Sequence, residues 1–239
     1  MSSIDTTHYC QLAGLLDFPA PGFAARGRSL LDFLRERYPD AAVEVEQFLD
    51  AIPESTLDLQ ELHTRTFDVQ SLTTLDVGYV LFGDDYKRGE LLSNLTREHG
   101  QAGNDCRGEL ADHLPNVLRL IPKLGDAELR GELVRDILVP ALVLMIREFE
   151  PERIARKNTS YQKHYKTLIE PARGSESTLY SKALKAALYV LTRDFHAGET
   201  VTRLSNWNRR PQTVDFLALV EREMEIEQNA NPVNSGCDA

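Results

Sequence analysis

Apolar residues recur at helical spacing along most of this chain and strand-like alternation is scarce, a pattern that restricts the fold to helices packed on helices. Val45, Phe48, Leu49 and Ile52 fall at i, i+3, i+4 and i+7, one face of a helix that Pro53 must end. Leu114, Val117, Leu118 and Ile121 repeat that spacing, as do Leu179, Ala183, Ala186, Ala187 and Val190. Leu129, Leu133, Ile137 and Leu138 lead into an apolar run interrupted by Pro140. The spacing predicts helices near 6–17, 23–37, 41–52, 57–67, 72–82, 86–100, 112–122, 127–149 with a break at Pro140, 176–195 and 213–227. The fold expected is all-α, a single-domain bundle of about ten helices.

That domain should span residues 1–227, since 239 residues can bury a sizeable core without disulfide or metal support. Two stretches break the pattern. Residues 150–175 combine Pro151, Pro171 and Gly174 with six lysines and arginines and His164, seven basic residues in all, and little periodicity, which reads as a mobile or irregular loop. Residues 228–239 are polar and breaker-rich and read as a disordered tail.

Cys10, Cys106 and Cys237 are odd in number and lack C-x-x-C spacing, so neither a disulfide framework nor a zinc site is expected. The N-terminal MSSIDTTHYC has no basic residue and no apolar core of signal-peptide length, and the longest apolar run, 137–146, is too short to span a bilayer. A cytoplasmic location with no membrane insertion is the expectation.

The net charge of −10 is unevenly placed. Residues 58–113 hold eleven acidic side chains against five basic ones, net −6, whereas residues 148–213 hold seven acidic against twelve basic, net +5. The first segment repels nucleic acid and attracts a cationic peptide, an effect that salt weakens. Solvated acidic helix faces would give the same totals.

Enzyme motifs are missing. There is no phosphate-binding G-x-x-x-x-G-K-[ST] loop, no G-x-G-x-x-G and no G-x-S-x-G elbow. Histidines 8, 63, 99, 113, 164 and 196 form no H-x-x-x-H pair, and no Glu-x-x-His spacing suits a carboxylate-bridged metal bundle. His63 and His99 sit among polar neighbours and read as surface residues. Arg209-Arg210 has no following apolar stretch and reads as a basic patch, not an export signal. No catalytic residue, metal or cofactor is expected.

The idiosyncratic stretch is FDVQSLTTLDVGYVLFGDDYKRGELL at 67–92, followed by ELADHLP at 109–115. Asp112 precedes Pro115 as an N-cap would precede a first-turn proline, a helix start worth about 1 kcal/mol. Capping leaves Glu109 and His113 unexplained. Gly83 suits a left-handed helix end and Asp84 or Asp85 the next N-cap, with Arg88 at helical spacing to pair with one of them. Tyr79 and Phe82, at i and i+3, read first as core aromatics, although a Tyr79 hydroxyl could reach a groove edge.

Phe67-Asp68, the run from Tyr79 through Gly83-Asp84 to Arg88-Gly89, and Glu109–Pro115 together resemble the NarJ/TorD/DmsD family of molybdoenzyme assembly chaperones. The similarity is greatest to the nitrate reductase molybdenum-cofactor assembly (delta subunit) type and covers roughly residues 10–150. It implies an all-helical protein without catalytic activity that binds the apo catalytic subunit of a molybdenum oxidoreductase through its N-terminal leader peptide. Glu109, Asp112, His113 and Pro115 would line the leader groove, joined by Asp68, Tyr79, Asp84, Asp85 and Arg88. Carboxylates there would accept paired hydrogen bonds from leader arginines, with apolar leader residues in a trough. Such a protein would act as a monomer or weak homodimer. The other reading of the same acidic groove is a binding protein or hydrolase for a guanine nucleotide or a pterin.

Overall fold

Prolines and capping carboxylates divide this chain into short helices, and the computed structural model describes residues 7–164 and 178–205 of it. Helix α1 (Thr7–Leu16) is followed by α2 (Phe23–Arg37), α3 (Pro39–Ala51) and α4 (Thr56–Phe67). Pro39 occupies the first turn of α3, where its missing N–H costs nothing, and Tyr38 both closes α2 and opens α3. Ser55 caps α4 by accepting from the Asp58 amide. Helix α5 (Val77–Phe82) and α6 (Tyr86–Gln101) form a tight pair, and α7 (Leu114–Leu120) runs into a 3₁₀ turn at Ile121–Lys123. Then come α8 (Ala127–Glu132), a π-helical turn (Leu133–Leu138), α9 (Val139–Arg147), α10 (Pro151–His164), α11 (Tyr180–Asp194) and α12 (Gly198–Ser205). The described residues contain no strand, only one isolated antiparallel bridge between Asp76 and His113.

The protein is thus an all-α helical bundle. Helix α11 packs on α3, α9 and α1, and α1 packs on α7 and α2, so helices from both ends of the described chain share one continuous core. Of the faces read from spacing, Leu114, Val117, Leu118 and Ile121 are all fully enclosed, each contributing roughly 1.5–3 kcal/mol of burial, whereas Ile52, Leu129 and Ile137 are half-buried. Asp194 at the end of α11 adds a polar tie. It accepts from the Tyr38 hydroxyl at 2.7 Å and from Tyr9, and lies 3.3 Å from His8 Nε2. No helix among the described residues is long and apolar enough to cross a membrane.

Four expectations change. Residues 72–76 are not helical, and α5 begins only at Val77. The helix expected over 112–122 begins at Leu114, with His113 at its N-cap position. Pro140 does not break the 127–147 helix. Lacking an N–H for the Asp136 carbonyl, it sits just beyond a widened π turn in which the Val139 amide reaches back to Val134.

The stretch read as an irregular loop is helical over Pro151–His164. Its inward positions are Lys157, Ser160 and Tyr161, so polar residues occupy the buried stripe and the apolar period is faint. Lys157, 1% exposed, and Arg153 both pair with Glu148, and the Tyr161 hydroxyl donates to the Ser71 carbonyl at 2.9 Å. The expectations for residues 165–175, the 213–227 helix, Arg209-Arg210 and the 228–239 tail lie outside the described residues.

Candidate functional site

The turn between α5 and α6 sets the site. Gly83 takes φ 60°, ψ −138° and ends α5, and the Asp85 carboxylate accepts from the Lys87 amide at 2.9 Å to start α6. The reversal carries Arg88 back across α5, where its guanidinium lies 5.0 Å from the centre of the Tyr79 ring. It does not pair with Asp84 or Asp85. Its Nη2 donates to Asp76 at 3.2 Å and its Nε to Asp112 at 3.4 Å.

Asp112 is 0% exposed and is not a helix cap. Its Oδ2 accepts from the Gly78 amide at 3.1 Å, and its own carbonyl accepts from the Val77 amide at 3.0 Å. The Leu114 amide, the expected capping donor, bonds instead to the Leu75 carbonyl at 2.8 Å. Two strand-like bonds therefore outcompete the cap, holding the entrance of α5 against the entrance of α7. A Cβ at position 78 would stand 2.7 Å from Asp112 Oδ2, so any other residue there must displace the carboxylate. Burial raises the Asp112 pKa, and the nearby Asp76 charge adds to it, against the pull of Arg88 and the Gly78 amide. His113 Nδ1 lies 3.3 Å from the other oxygen of Asp76, so Asp76 joins Arg88 to His113. Pro115 is buried in the first turn of α7.

The loop between α6 and α7, residues 102–113, is shaped from beneath by buried polar groups. His99 Nε2 contacts the Ala111 carbonyl at 2.9 Å, and the Asn104 amide donates to His99 Nδ1 at 2.8 Å and to the Asn116 carbonyl at 3.1 Å. That pattern selects the tautomer with the proton on Nε2. Asn116 in turn donates to the carbonyls of Cys106 and Leu110. His99 is therefore interior, not a surface residue, and burial lowers its pKa. His63 is interior as well, 3.2 Å from the Leu16 carbonyl, with its pKa lowered chiefly by burial.

The loop presents Glu109 to solvent opposite Asp68 at the end of α4. Partial desolvation raises the Asp68 pKa, the charges of Glu109 and Asp76 raise it further, and His63 and His113 oppose them. Asp68, Asp76, Glu109 and His113 thus share one electrostatic neighbourhood. The Asp68 and Glu109 side chains form no ion pair or hydrogen bond to a described residue. The apolar residues beside them in the chain, Val69 and Leu110, are exposed, as is Phe18, whose ring meets the edge of His63 at 5.5 Å.

Of the residues singled out in the sequence, Asp68, Tyr79, Arg88, Glu109, Asp112 and His113 come together, with Pro115 beneath. Asp84 and Asp85 stay at the exposed α5–α6 turn, one of them as a cap. Sequence reasoning missed Asp76, which falls inside the helix expected over 72–82, and missed the roles of Asn104, Asn116 and His99, which carry no motif. Among the described residues no group of three or more His, Cys, Asp or Glu side chains is placed to hold a metal ion. The arrangement can hold a cation on open carboxylates. No protein-family model matches the chain, and no curated protein matches it in sequence.

Proposed function

We propose that this protein is an assembly chaperone that binds the N-terminal leader of the apo catalytic subunit of a molybdopterin oxidoreductase such as nitrate reductase. It holds that client competent for cofactor insertion in the cytoplasm. The motif resemblance supports the choice of client class. The observation that carries the recognition step is the pair Asp68 and Glu109, two mutually repelling carboxylates that pair with no lysine or arginine among the described residues, while the neighbouring Asp76 and Asp112 share the Arg88 guanidinium.

A guanidinium or ammonium from the leader relieves that repulsion, and leader side chains of apolar character lie against Val69, Leu110 and Phe18. Asp112 has no access to the leader; it positions α5 and α7 so that Glu109 faces Asp68. Release follows when client folding withdraws the recognised segment, since binding is only as strong as the preference for the immature state.

Titration of a peptide from the N-terminus of the client subunit tests this. Asp68→Asn with Glu109→Gln should weaken binding about tenfold, the loss of charge-assisted bonds of roughly 1.5–3 kcal/mol softened by solvent exposure. Melting should not fall, since the substitutions only relieve repulsion. Wild-type affinity in the double variant removes these carboxylates from recognition.

A further inference from the structure

A second groove lies between α6 and the α8–π segment, with a volume of about 390 Å³ and no lining residue in common with the acidic face. Its floor is apolar: Leu91 and Leu95 from α6, Leu124, and Leu129, Leu133 and Ile137 from the facing segment. The π turn keeps this floor straight. In an α-helix of about 3.6 residues per turn a residue four positions on overshoots a full turn, whereas in the wider π turn it undershoots, so the two drifts offset along 129, 133 and 137. The same register sets Glu132 and Asp136 in a second row at the rim.

Charge at the rim selects the occupant. Arg97 is paired with Glu98 at 3.3 Å, whereas Glu132 and Asp136 are exposed and make no ion pair with a described residue. The groove therefore presents a leucine floor beside two open negative charges. From Leu91 to Glu98 it runs about 10 Å at the usual helical rise, the length of two helical turns.

We propose that this groove is a second protein-docking site, one that takes a short amphipathic helix with an apolar stripe and basic flanks. The stripe replaces water over Leu91, Leu95, Leu129 and Ile137, and the flanks neutralise Glu132 and Asp136. Anionic lipid is disfavoured by the same two carboxylates. The site stands independently of the leader face, since its floor and rim belong to other residues.

The test uses the full chain and a fluorescein-labelled helical peptide of leucine at i, i+3, i+4 and i+7 with lysine elsewhere, compared with a twin carrying glutamate for lysine. Anisotropy should show the lysine peptide binding at least about tenfold more tightly than its twin. Glu132→Lys with Asp136→Lys should weaken the lysine peptide about tenfold, each contact passing from attraction to repulsion, with melting unchanged. Asp68→Asn with Glu109→Gln should leave it bound. A photo-crosslinker at a leucine position should label residues 91–98 or 124–137. Equal affinity for both peptides, indifference to the two reversals, or labelling confined to the Asp68–Glu109 face overturns the proposal. So does a dimer in sedimentation that Leu129→Gln with Ile137→Gln dissolves, because the occupant would then be a second copy of the chain. Vesicle binding lost in that same variant overturns it in favour of a lipid surface.

Discussion

Gly78 shows how closely a single position is constrained. In a helix interior, glycine to alanine ordinarily stabilises by roughly 0.5–1 kcal/mol. Here the added Cβ meets Asp112 Oδ2 at 2.7 Å, and Arg88 Cγ and Leu91 Cδ2 at 3.2 Å. The carboxylate is held by Arg88 and by the Gly78 amide itself, so it cannot swing aside. Overpacking of this kind costs about 1–3 kcal/mol and outweighs the helical gain. Gly78→Ala should therefore lower stability by about 1–2 kcal/mol in urea unfolding; equal or greater stability would show that Asp112 is free to move. Asp112→Asn makes a gentler probe. The raised Asp112 pKa means that the folded chain binds the proton more tightly than the unfolded one. The wild type should gain stability over Asp112→Asn as pH falls from that raised value toward the ordinary carboxylate range near about 4, and a difference flat in pH would contradict this.

At the scale of elements, the 102–113 loop depends on Asn104. Asn104→Ala strips hydrogen bonds from His99 Nδ1 and the Asn116 carbonyl, leaving buried acceptors unpaired, and should cost about 2 kcal/mol or more. It should also weaken leader binding by loosening Glu109. Protected loop amides in hydrogen exchange of the variant would contradict this. Helices with a strong apolar stripe, such as those carrying Val45 and Phe48 or Leu114 and Leu118, were legible in the sequence because burial and spacing coincide. Helix α10 was not, since Lys157 and Ser160 fill buried positions. Nor was the role of Asp112 legible: a local cap and a long-range bridge to Val77 and Gly78 call for the same residue, and only the partner 34 positions away separates them. Pro140 announced an irregularity without saying that a π turn, not a break, would absorb it.

For the molecule as a whole, buried imidazoles and charge segregation give two dependences on solution conditions. His63 and His99 have pKa values lowered by burial, so on unfolding below about pH 6.5 they take up protons that the folded chain excludes. Their contribution to stability is complete above that pH and is lost as pH falls through it. The melting temperature should decline from pH 7 to pH 6, and His99→Gln, which can still donate to Ala111, should flatten the decline. An equally steep decline in that variant would exclude His99 as its source. The net −6 of residues 58–113 predicts in turn that leader affinity falls as salt rises; constancy between low and high salt would point to apolar contact alone.

The bridge between Asp76 and His113 fastens the chain at both ends of the excursion that holds α6 and the Glu109 loop. An excursion pinned at its roots can be lengthened at its tip without moving the bundle, for doubling a flexible loop costs only about 0.6 kcal/mol in closure entropy. Residues inserted near Gly108 would displace Glu109 relative to Asp68 while α5 and α7 keep their places. The spacing between charges demanded of a client becomes a property of loop length, adjustable by insertion or deletion without redesign of the core.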